Sequence, residues 1–250
     1  MQDKQSVYDK DGFFDLYQKL RSNPNSLNEI VEKPTMLGLV GDVSDKRILD
    51  LGCGCGEHLK LYLERGAAFV VGIDLSQAML QQAAKNLAEF RPHFLLEQAP
   101  MERLDQLNEG GFDLITSSFA FHYVQDFPAL LAKIYAKLKP NGQLVFSQEH
   151  PIVTCYQGGE RWEKDAQKCQ LAYRLNFYRD EGERQRNWFK QPFTTYHRTT
   201  ATIINNLISA GFHIEQMAEP MLADQPQWQD EFKDLQHRPV LLFVKARKNT

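Results

Sequence analysis

The segment ILDLGCGCGEH, from Ile48 to His58, joins an apolar run to three closely spaced glycines. Ile48, Leu49 and Leu51 have the apolar character of a strand that a parallel sheet buries on both faces. Glycines directly after such a strand allow a tight turn and a close approach between backbone and ligand. Helix-forming residues resume at Glu57, so the loop leads into a helix N-terminus. This order of strand, glycine loop and helix predicts half of a nucleotide-binding βαβ unit.

The composition of the chain restricts the kind of protein to which this loop belongs. The 250 residues are 42% hydrophobic and 11% aromatic, as expected of a globular chain with a sizeable core. The formal net charge is −3 and no long basic run occurs, so nothing indicates a nucleic-acid or anionic membrane partner. No run of about 18 apolar residues and no signal-type N-terminus is present. We therefore expect a cytoplasmic protein without a membrane span.

The four cysteines are not expected to form disulfides, because a cytosolic protein keeps its thiols reduced. Cys53 and Cys55 are separated by one residue, which is not the usual spacing of zinc ligands, and no histidine pair accompanies them. We expect no metal site. Small, tolerant side chains in a crowded loop are the favoured interpretation of both residues.

A second strand, FVVGIDLS from Phe69 to Ser76, ends in an acidic residue. Asp74 stands 22 positions after Gly52. A carboxylate about 20 residues beyond the first glycine is where a βαβ fold holds the two ribose hydroxyls. Helix capping is the alternative, since Asp and Ser are common N-caps. Both functions are compatible here, with Ser76 as the cap and Asp74 as the ribose ligand.

Acidic residues flank the glycine loop and bear on the identity of the ligand. Asp50 lies two residues before Gly52, and Glu57 lies one residue after Gly56. They would repel the pyrophosphate of a nicotinamide dinucleotide, which rests on the helix N-terminus. The glycine spacing also departs from the Gly-x-Gly-x-x-Gly of that class. A ligand with adenosine at one end and an ammonium and a sulfonium at the other fits better, which predicts S-adenosylmethionine.

Four separated motifs resemble those of the class I, Rossmann-like S-adenosylmethionine-dependent methyltransferases. ILDLGCGCGEH resembles their first motif, VVGIDLSQAML their second, FDLITSSFAFHYV their fourth-strand motif, and LKPNGQLVFS the turn into their fifth strand. Together the motifs cover about residues 46–148. The resemblance implies a seven-stranded, mostly parallel α/β sheet with an antiparallel last strand and helices on both faces. It also implies methyl transfer from S-adenosylmethionine, which leaves S-adenosylhomocysteine.

The same resemblance assigns residues of the first two motifs to parts of the cofactor. Asp74 is implied to hold the ribose, and Leu75 and Met79 are implied to flank the adenine. The residues implied to line the methionine part are Asp50, Gly52, Cys53, Gly54 and Gly56.

Residues after the third and fourth strands are implied to complete the cofactor site. Gln98 stands where the family usually has an aspartate, and its amide oxygen can still accept from the adenine amino group. The backbone amide of Ala99 can donate to a ring nitrogen. Met101 resembles the residue that closes over the base, with core packing as its alternative. Ser117 and His122 are also implied to lie near the cofactor, with an ordinary packed histidine as the alternative for His122.

A closer resemblance links the chain to a bacterial small-molecule branch of the class whose members are mostly uncharacterised. It implies that Tyr17 and Arg21 reach the cofactor, with Arg21 at its carboxylate. The matching segments are Tyr17 through Arg21, Asn28, Glu32-Lys33-Pro34, Cys53-Gly54, Glu149-His150-Pro151, Tyr196-His197-Arg198-Thr199 and Glu219-Pro220.

From Glu149 to about Tyr196 the pattern departs from the core fold, and aromatic residues alternate with arginines and acids. We interpret residues 149–197 as an α+β insertion after the fifth strand. An insertion at that point emerges on the ligand face, so it predicts a lid. The chain is then one methyltransferase domain, 1–250, with an N-terminal helical cap (1–45), a cofactor-binding core (46–148), this insertion and a completion of the core (198–250).

Methyl transfer depends mainly on aligning the acceptor with the methyl group and excluding water. A base is needed only if the acceptor must lose a proton. His122, His150, Tyr196 and His197 are candidates by placement, and a hydrogen-bonding role is the alternative for each.

The sequence favours a small or medium-sized organic acceptor. The fourth-strand motif has Ser117-Ser118-Phe119-Ala120 in place of the Asn/Asp-Pro-Pro-Tyr/Phe of enzymes that methylate amino groups in nucleic acids and proteins. Two alternatives stay open. A tRNA or rRNA methyltransferase would use the aromatic and arginine residues of the insertion to stack on bases. A non-catalytic module would bind S-adenosylmethionine without transferring the methyl group.

Overall fold

The computed structural model of the protein describes residues 9, 14, 18–19, 23–188, 191–221 and 232–249. Eleven strands are found in this part of the chain. In order they are β1 (Arg47–Leu51), β2 (Phe69–Asp74), β3 (Phe94–Gln98), β4 (Phe112–Ser117), β5 (Leu138–Glu149), β6 (Trp162–Lys164), β7 (Gln170–Tyr173), β8 (Gly182–Trp188), β9 (Gln191–His197), β10 (Phe212–Ala218) and β11 (Leu241–Lys248).

Seven of these strands form one central sheet in the order β10-β11-β5-β4-β1-β2-β3. Strands β1 to β5 pair in parallel, whereas β11 runs antiparallel to both β5 and β10. The predicted sheet with an antiparallel last strand is therefore confirmed. The order of the strands changes direction beside β1, so the loops that follow β1 and β4 diverge and leave a crevice at their carboxyl ends.

Helices cover both faces of the sheet. Those whose full extent lies within the described residues are a π-helical turn (Asn28–Glu32), α1 (Lys33–Val40), α2 (Glu57–Glu64), α3 (Gln77–Asn86), α4 (Phe127–Lys137), α5 (Pro151–Thr154), α6 (Thr200–Ser209) and the 3₁₀ turns Ala88–Phe90, Met101–Gln106, Phe121–Tyr123 and Lys233–Gln236. The hydroxyl of Ser76 accepts the amide of Met79 at 3.2 Å, so Ser76 is the N-cap of α3 as predicted.

Two apolar clusters, one on each face, hold the helices to the sheet. Alternate residues of β1 divide between them, with Leu49 in the cluster under α4 and α6 and Ile48 in the cluster under α1, α2 and α3. Both side chains are fully buried. The sheet is therefore the middle of three layers, and the crevice at its edge is the place left open for a ligand.

The segment that follows β5 forms two hairpins outside the central sheet, β6–β7 and β8–β9. The β8–β9 hairpin is fastened to the end of β5 by an ion pair between Arg186 and Glu149. His197, at its end, lies between the hydroxyl of Thr154 and the carbonyl of Tyr178, each at 2.8 Å.

Among the helices of the described residues, none is long and apolar enough to cross a membrane.

Candidate functional site

The glycine loop after β1 is fastened to β2 by its own backbone. The amides of Gly52 and Cys53 both donate to the carbonyl of Ile73, at 2.8 and 3.0 Å. Gly52 has a φ of 76°, and a Cβ placed on it would lie 2.8 Å from the Cβ of Ala120. A side chain at position 52 would therefore be disfavoured by both conformation and space.

Asp74, at the end of β2, joins the loop to the next helix. One carboxylate oxygen accepts the amide of Gly54 and the other accepts the amide of Ser76, both at 2.8 Å. Burial raises the pKa of this carboxyl, while the two amide hydrogen bonds oppose the rise. Each oxygen keeps a second lone pair, so the residue can still accept hydrogen bonds from a ligand.

Two cavities open on either side of the loop. The first, which we call the loop cavity, has a volume of about 370 Å³. It is lined by Gln18, Asn28, Asp50, Gly52, Cys53, Gly54, Cys55, Glu57, His58, Gln82, Asn86, Ser118 and Phe119. Acids and amides predominate among these side chains, so this cavity suits a polar, positively charged group.

The second cavity, which we call the hairpin cavity, has a volume of about 420 Å³ and a more apolar wall. Part of that wall comes from β9 of the insertion. The lining residues are Gly52, Gly54, Ile73, Asp74, Leu75, Met79, Ala99, Pro100, Met101, Glu102, Ser118, Phe119, Ala120, Tyr123, Val124, Pro192, Phe193, Thr194 and Tyr196.

The two cavities meet at four residues that line both of them, Gly52, Gly54, Ser118 and Phe119. Phe119 has a φ of 54°, which is uncommon for a residue with a bulky side chain. Its amide donates to the carbonyl of Ser147 at 3.0 Å, which fixes the turn. We call this place the junction. A single elongated ligand that fills both cavities must pass through it.

Buried carboxylates lie next to the loop cavity. Asp50 is 2% exposed and accepts the hydroxyl of Thr116 at 2.8 Å. Burial raises the pKa of Asp50 to about 6, although nearby His58 and the Thr116 hydrogen bond lower it. Glu32, from the π-helical turn, is 1% exposed and accepts hydroxyl groups from Ser118 and Ser147 at 2.6 and 2.7 Å.

The cavities bring together most of the residues that the sequence assigned to the cofactor. Asp50, Gly52, Cys53 and Gly54 line the loop cavity. The five that line the hairpin cavity beyond the shared glycines are Asp74, Leu75, Met79, Ala99 and Met101.

Four assigned residues lie elsewhere. Gly56 caps α2 and packs against Ala83, with 3.1 Å from an added Cβ to the Cβ of Ala83. Gln98 is exposed, and its amide nitrogen donates to the carbonyl of Leu75 at 3.2 Å. Ser117 is fully buried and donates to the carbonyl of Leu51 at 2.8 Å, so the serine that faces both cavities is the next one. The fourth, His122, is described below.

The amide of Ala99 is also engaged, because it donates to the carbonyl of Asp74 at 3.1 Å. The structure therefore does not support the donor role expected for that amide. The 3₁₀ turn that starts at Met101 begins beside the same cavity, and the first amides of a helix lack acceptors within it. Tyr17 and Arg21 lie outside the described residues.

Of the four candidate bases, Tyr196 lines the hairpin cavity, and the three histidines line neither cavity. His122 is 4% exposed and packs on Tyr123, and burial lowers its pKa to about 4. His150 donates to Glu219 and accepts the amide of Ile152 at 2.8 and 3.1 Å.

His197 is engaged in the same way as His150, since both of its ring nitrogens have partners. Burial lowers the pKa values of His150 and His197 below the ordinary histidine value, so both rings favour the neutral form. The geometry gives these two histidines structural functions in the insertion.

Several residues that line the cavities are not among those that the sequence assigned to the cofactor, although Ser118, Phe119 and Tyr123 follow the fourth strand at the ligand-binding end of the sheet. The aromatic residues are Phe119, Tyr123 and Phe193, and the polar ones include Ser118, Glu102 and His58. Position at a strand end was the available signal for Ser118, which directly follows β4. No comparable signal marked Phe193, because only the folded hairpin brings it to the crevice. Within the described residues, no cluster of three His, Cys, Asp or Glu side chains could hold a metal ion.

Comparisons with known proteins agree with this architecture. A family model described as a methyltransferase domain matches residues 48–142. A Haemophilus influenzae protein described as uncharacterized is 67% identical over 251 residues, which cover 99% of each chain. The ubiquinone biosynthesis O-methyltransferase of Neisseria meningitidis is 37% identical over 112 residues, 42% of this chain and 45% of that enzyme, so the chain spans less than half of its length.

A solved structure provides the match that identifies the family. It is an S-adenosylmethionine-dependent methyltransferase from Mesorhizobium loti with a TM-score of 0.78 and 35% sequence identity. The match covers 89% of this chain and 100% of that protein. The chain therefore belongs to the Rossmann-like S-adenosylmethionine-dependent methyltransferases, and S-adenosylmethionine is its cofactor.

Proposed function

We propose that S-adenosylmethionine spans both cavities, with its methionine end in the loop cavity and its adenosine in the hairpin cavity. One observation carries this placement. The buried acid Asp50 lines the loop cavity, the half-buried acid Asp74 lines the hairpin cavity, and the two cavities join at the glycine loop. Asp50 supplies a negative charge for the ammonium, and Asp74 supplies acceptors for the ribose hydroxyls. The sulfonium and its methyl group then lie at the junction.

The acceptor, in this proposal, is a small or medium-sized organic molecule that packs against the β8–β9 hairpin. Tyr123, Phe193 and Tyr196 supply aromatic side chains to the wall of the hairpin cavity. Phe193 and Tyr123 lie 6.1 Å apart between ring centroids, within the range of favourable aromatic pairs. The hairpin thereby acts as the lid that aligns the acceptor and excludes water. The O-methyltransferase named above supports an organic acceptor without identifying it.

We also propose that the reaction takes place in the cytoplasm. All four cysteines are free, which suits a reducing compartment.

The methyl donor is held by residues of the sheet core, while the N-terminal segment contributes Gln18 and Asn28 to the loop cavity as a cap.

Methyl transfer from labelled cofactor tests the acceptor class. The protein is incubated with S-adenosylmethionine that carries a labelled methyl group, and separately with a bacterial metabolite extract and with total RNA. We expect label in the metabolite fraction and none in RNA. Label in RNA alone would replace the proposal with the RNA alternative, and S-adenosylhomocysteine binding without any label in either fraction would favour the non-catalytic module.

The variant Phe193→Ala tests the contribution of the hairpin. It should reduce labelling of the metabolite fraction by about tenfold or more, since it removes an aromatic wall of the acceptor site. Phe177→Ala is the matched control, because Phe177 is 53% exposed in the same insertion and lines neither cavity. Equal effects of the two variants on labelling would contradict a lid function for β9.

A further inference from the structure

The hydroxyl group of Ser118 has a fixed direction at the junction. It donates its proton to a carboxylate oxygen of Glu32 at 2.6 Å. A serine hydroxyl has one proton and two lone pairs, so this hydrogen bond uses its whole capacity as a donor. Ser118 lines both cavities, and it therefore offers only acceptor lone pairs to whatever lies at the junction.

The surroundings of Glu32 stabilise its hydrogen bond to Ser118. The same carboxylate oxygen accepts the hydroxyl of Ser147 at 2.7 Å, and His58 Nε2 lies 3.7 Å from the other oxygen. The carboxylate is 1% exposed, and hydrogen bonds to a charged group in such surroundings are strong. His58 Nε2 is buried without a hydrogen-bond partner, so it does not compete with Ser118 and Ser147 for a hydrogen bond to Glu32.

The backbone of the next residue also restricts the position of Ser118. The next residue, Phe119, adopts a left-handed conformation, and its amide donates to both the carbonyl and the hydroxyl oxygen of Ser147 at 3.0 and 3.2 Å. Ser147 thus fastens the same corner from β5. Glu32 reaches this corner from the π-helical turn, a helix form that is frequent at functional sites.

We propose that Ser118 is a catalytic residue that accepts a hydrogen bond from the methyl acceptor, and that Glu32 is the positioning residue that keeps it an acceptor. The acceptor must then present an O–H or N–H group at the junction, which makes it a hydroxyl or amine compound. A carboxylate oxygen in the same place would face the lone pairs of Ser118 and the charge of Glu32 behind them, and would be repelled. This inference rests on the proposed function, because it takes the methyl group to lie at the junction.

The proton has a defined route in this arrangement. A lone pair of the acceptor atom forms the bond to the methyl carbon, and the carbon–sulfur bond breaks with its electron pair left on sulfur. The proton of the acceptor atom passes to Ser118 Oγ while the hydroxyl proton of Ser118 passes to Glu32. The products are the methylated acceptor, neutral S-adenosylhomocysteine and a protonated Glu32, which then returns its proton to solvent.

Two cofactor analogues test the inference without knowledge of the acceptor. S-adenosylhomocysteine has no donor at the methyl position, whereas sinefungin has an amino-bearing carbon in place of the sulfur and its methyl group. Sinefungin therefore presents N–H donors at the junction. The ratio of the two dissociation constants, measured by calorimetry on the same preparation, isolates the interaction there from the rest of the cofactor site.

We expect wild-type protein to bind sinefungin more tightly than S-adenosylhomocysteine, and Ser118→Ala to lose about tenfold or more of that preference. Ser147→Ala is the control, because it removes the other hydroxyl that donates to Glu32, from a side chain that lines neither cavity, while the amide of Phe119 keeps the carbonyl of residue 147 as its acceptor. It should change the ratio by less than about threefold. Glu32→Gln should lower the preference by less than Ser118→Ala does, because its amide oxygen can still accept the hydroxyl of Ser118 although the amide carries no charge, and affinity for S-adenosylhomocysteine should change little.

An unchanged ratio in Ser118→Ala, or equal losses in Ser118→Ala and Ser147→Ala, would overturn the inference. If Glu32→Gln does not fold, the pair of serine variants decides the question alone. A wild-type protein that does not bind S-adenosylhomocysteine would contradict the proposed placement of the cofactor instead, so the two failures are distinguishable.

Discussion

The carboxylate of Asp74 accepts the backbone amide of Gly54 at 2.8 Å, although Asp74 ends β2 and Gly54 belongs to the loop after β1. The acid at the end of β2 therefore holds the glycine loop that follows β1. Gly54 lies at the junction of the two cavities, so the residue proposed for the ribose also fixes the backbone beneath the methionine end. This hydrogen bond therefore links the walls of the two cavities.

Asp74→Ala should weaken binding of S-adenosylhomocysteine by about tenfold to a hundredfold for each charge-assisted bond to the ribose that it removes. It also releases the amide of Gly54, which adds to the effect. Calorimetric titration measures the change. Asp113→Ala is the control, because Asp113 is an acid of β4 that pairs with Lys139 and lines neither cavity. Unchanged affinity in the Asp74 variant would mean that the ribose binds elsewhere.

Gly52→Ala should destabilise the protein by about 2 kcal/mol or more and abolish measurable cofactor binding. The added Cβ would meet Ala120 at 2.8 Å, and the backbone φ of 76° is strained for alanine. Urea unfolding measures the first effect. Gly38→Ala, in α1, has open space around its Cβ and should be neutral or stabilising by up to about 1 kcal/mol. Similar midpoints for the two variants would contradict this account of the loop.

Affinity for S-adenosylhomocysteine should fall as the pH drops through 6. Burial, the largest influence, raises the pKa of Asp50 in the free protein to about 6. The ammonium of the ligand favours the ionised carboxylate, so binding must expel the proton wherever Asp50 is protonated. The affinity is therefore fully present above pH 6 and is lost below it, by up to about tenfold per pH unit.

Titrations between pH 5 and 8 measure this dependence. Asp50→Asn is the control variant, which should bind more weakly at pH 8 and show a flatter profile than wild-type protein. A wild-type profile that is equally flat across this range would show that Asp50 does not face the ammonium.

Glu149→Gln should loosen the β8–β9 hairpin while leaving the central sheet intact. The Glu149 carboxylate pairs with Arg186 across the base of the hairpin, and both side chains are about one-fifth exposed. Loss of the ion pair should raise hydrogen exchange of β8 and β9 amides by several-fold, with β1 and β4 unchanged, because a half-buried charge loses its partner. Exchange that rises equally in β1 would indicate global destabilisation instead.

Much of the fold could be predicted because its signals are local. The apolar run of β1, the three glycines and the acid at the end of β2 follow from backbone conformation and from the burial of parallel strands. Ser76 as the cap of α3 is a signal of the same kind, since a cap acts within three residues of its own position.

The acceptor side of the site is less predictable because it is built from distant segments. Ser118 and Glu32 are 86 residues apart, and nothing in their local sequences indicates a contact. The choice between Ser117 and Ser118 was decided by the exact end of β4, where one side chain turns into the sheet and the next turns towards the crevice. Sequence placement alone also made His150 and His197 candidate bases, and only the fold shows that their ring nitrogens are already engaged.

The sequence by itself determined the sheet, the glycine loop and the kind of cofactor, because each depends on residues close together in the chain. Tertiary structure alone decided which side chains meet at and beside the junction. Glu32, behind the junction, accepts the hydroxyl groups of Ser118 and Ser147, which joins the N-terminal segment to β5 and to the residue after β4. Long-range packing of these elements fixes the direction of one hydroxyl proton, and no local pattern of residues encodes that direction.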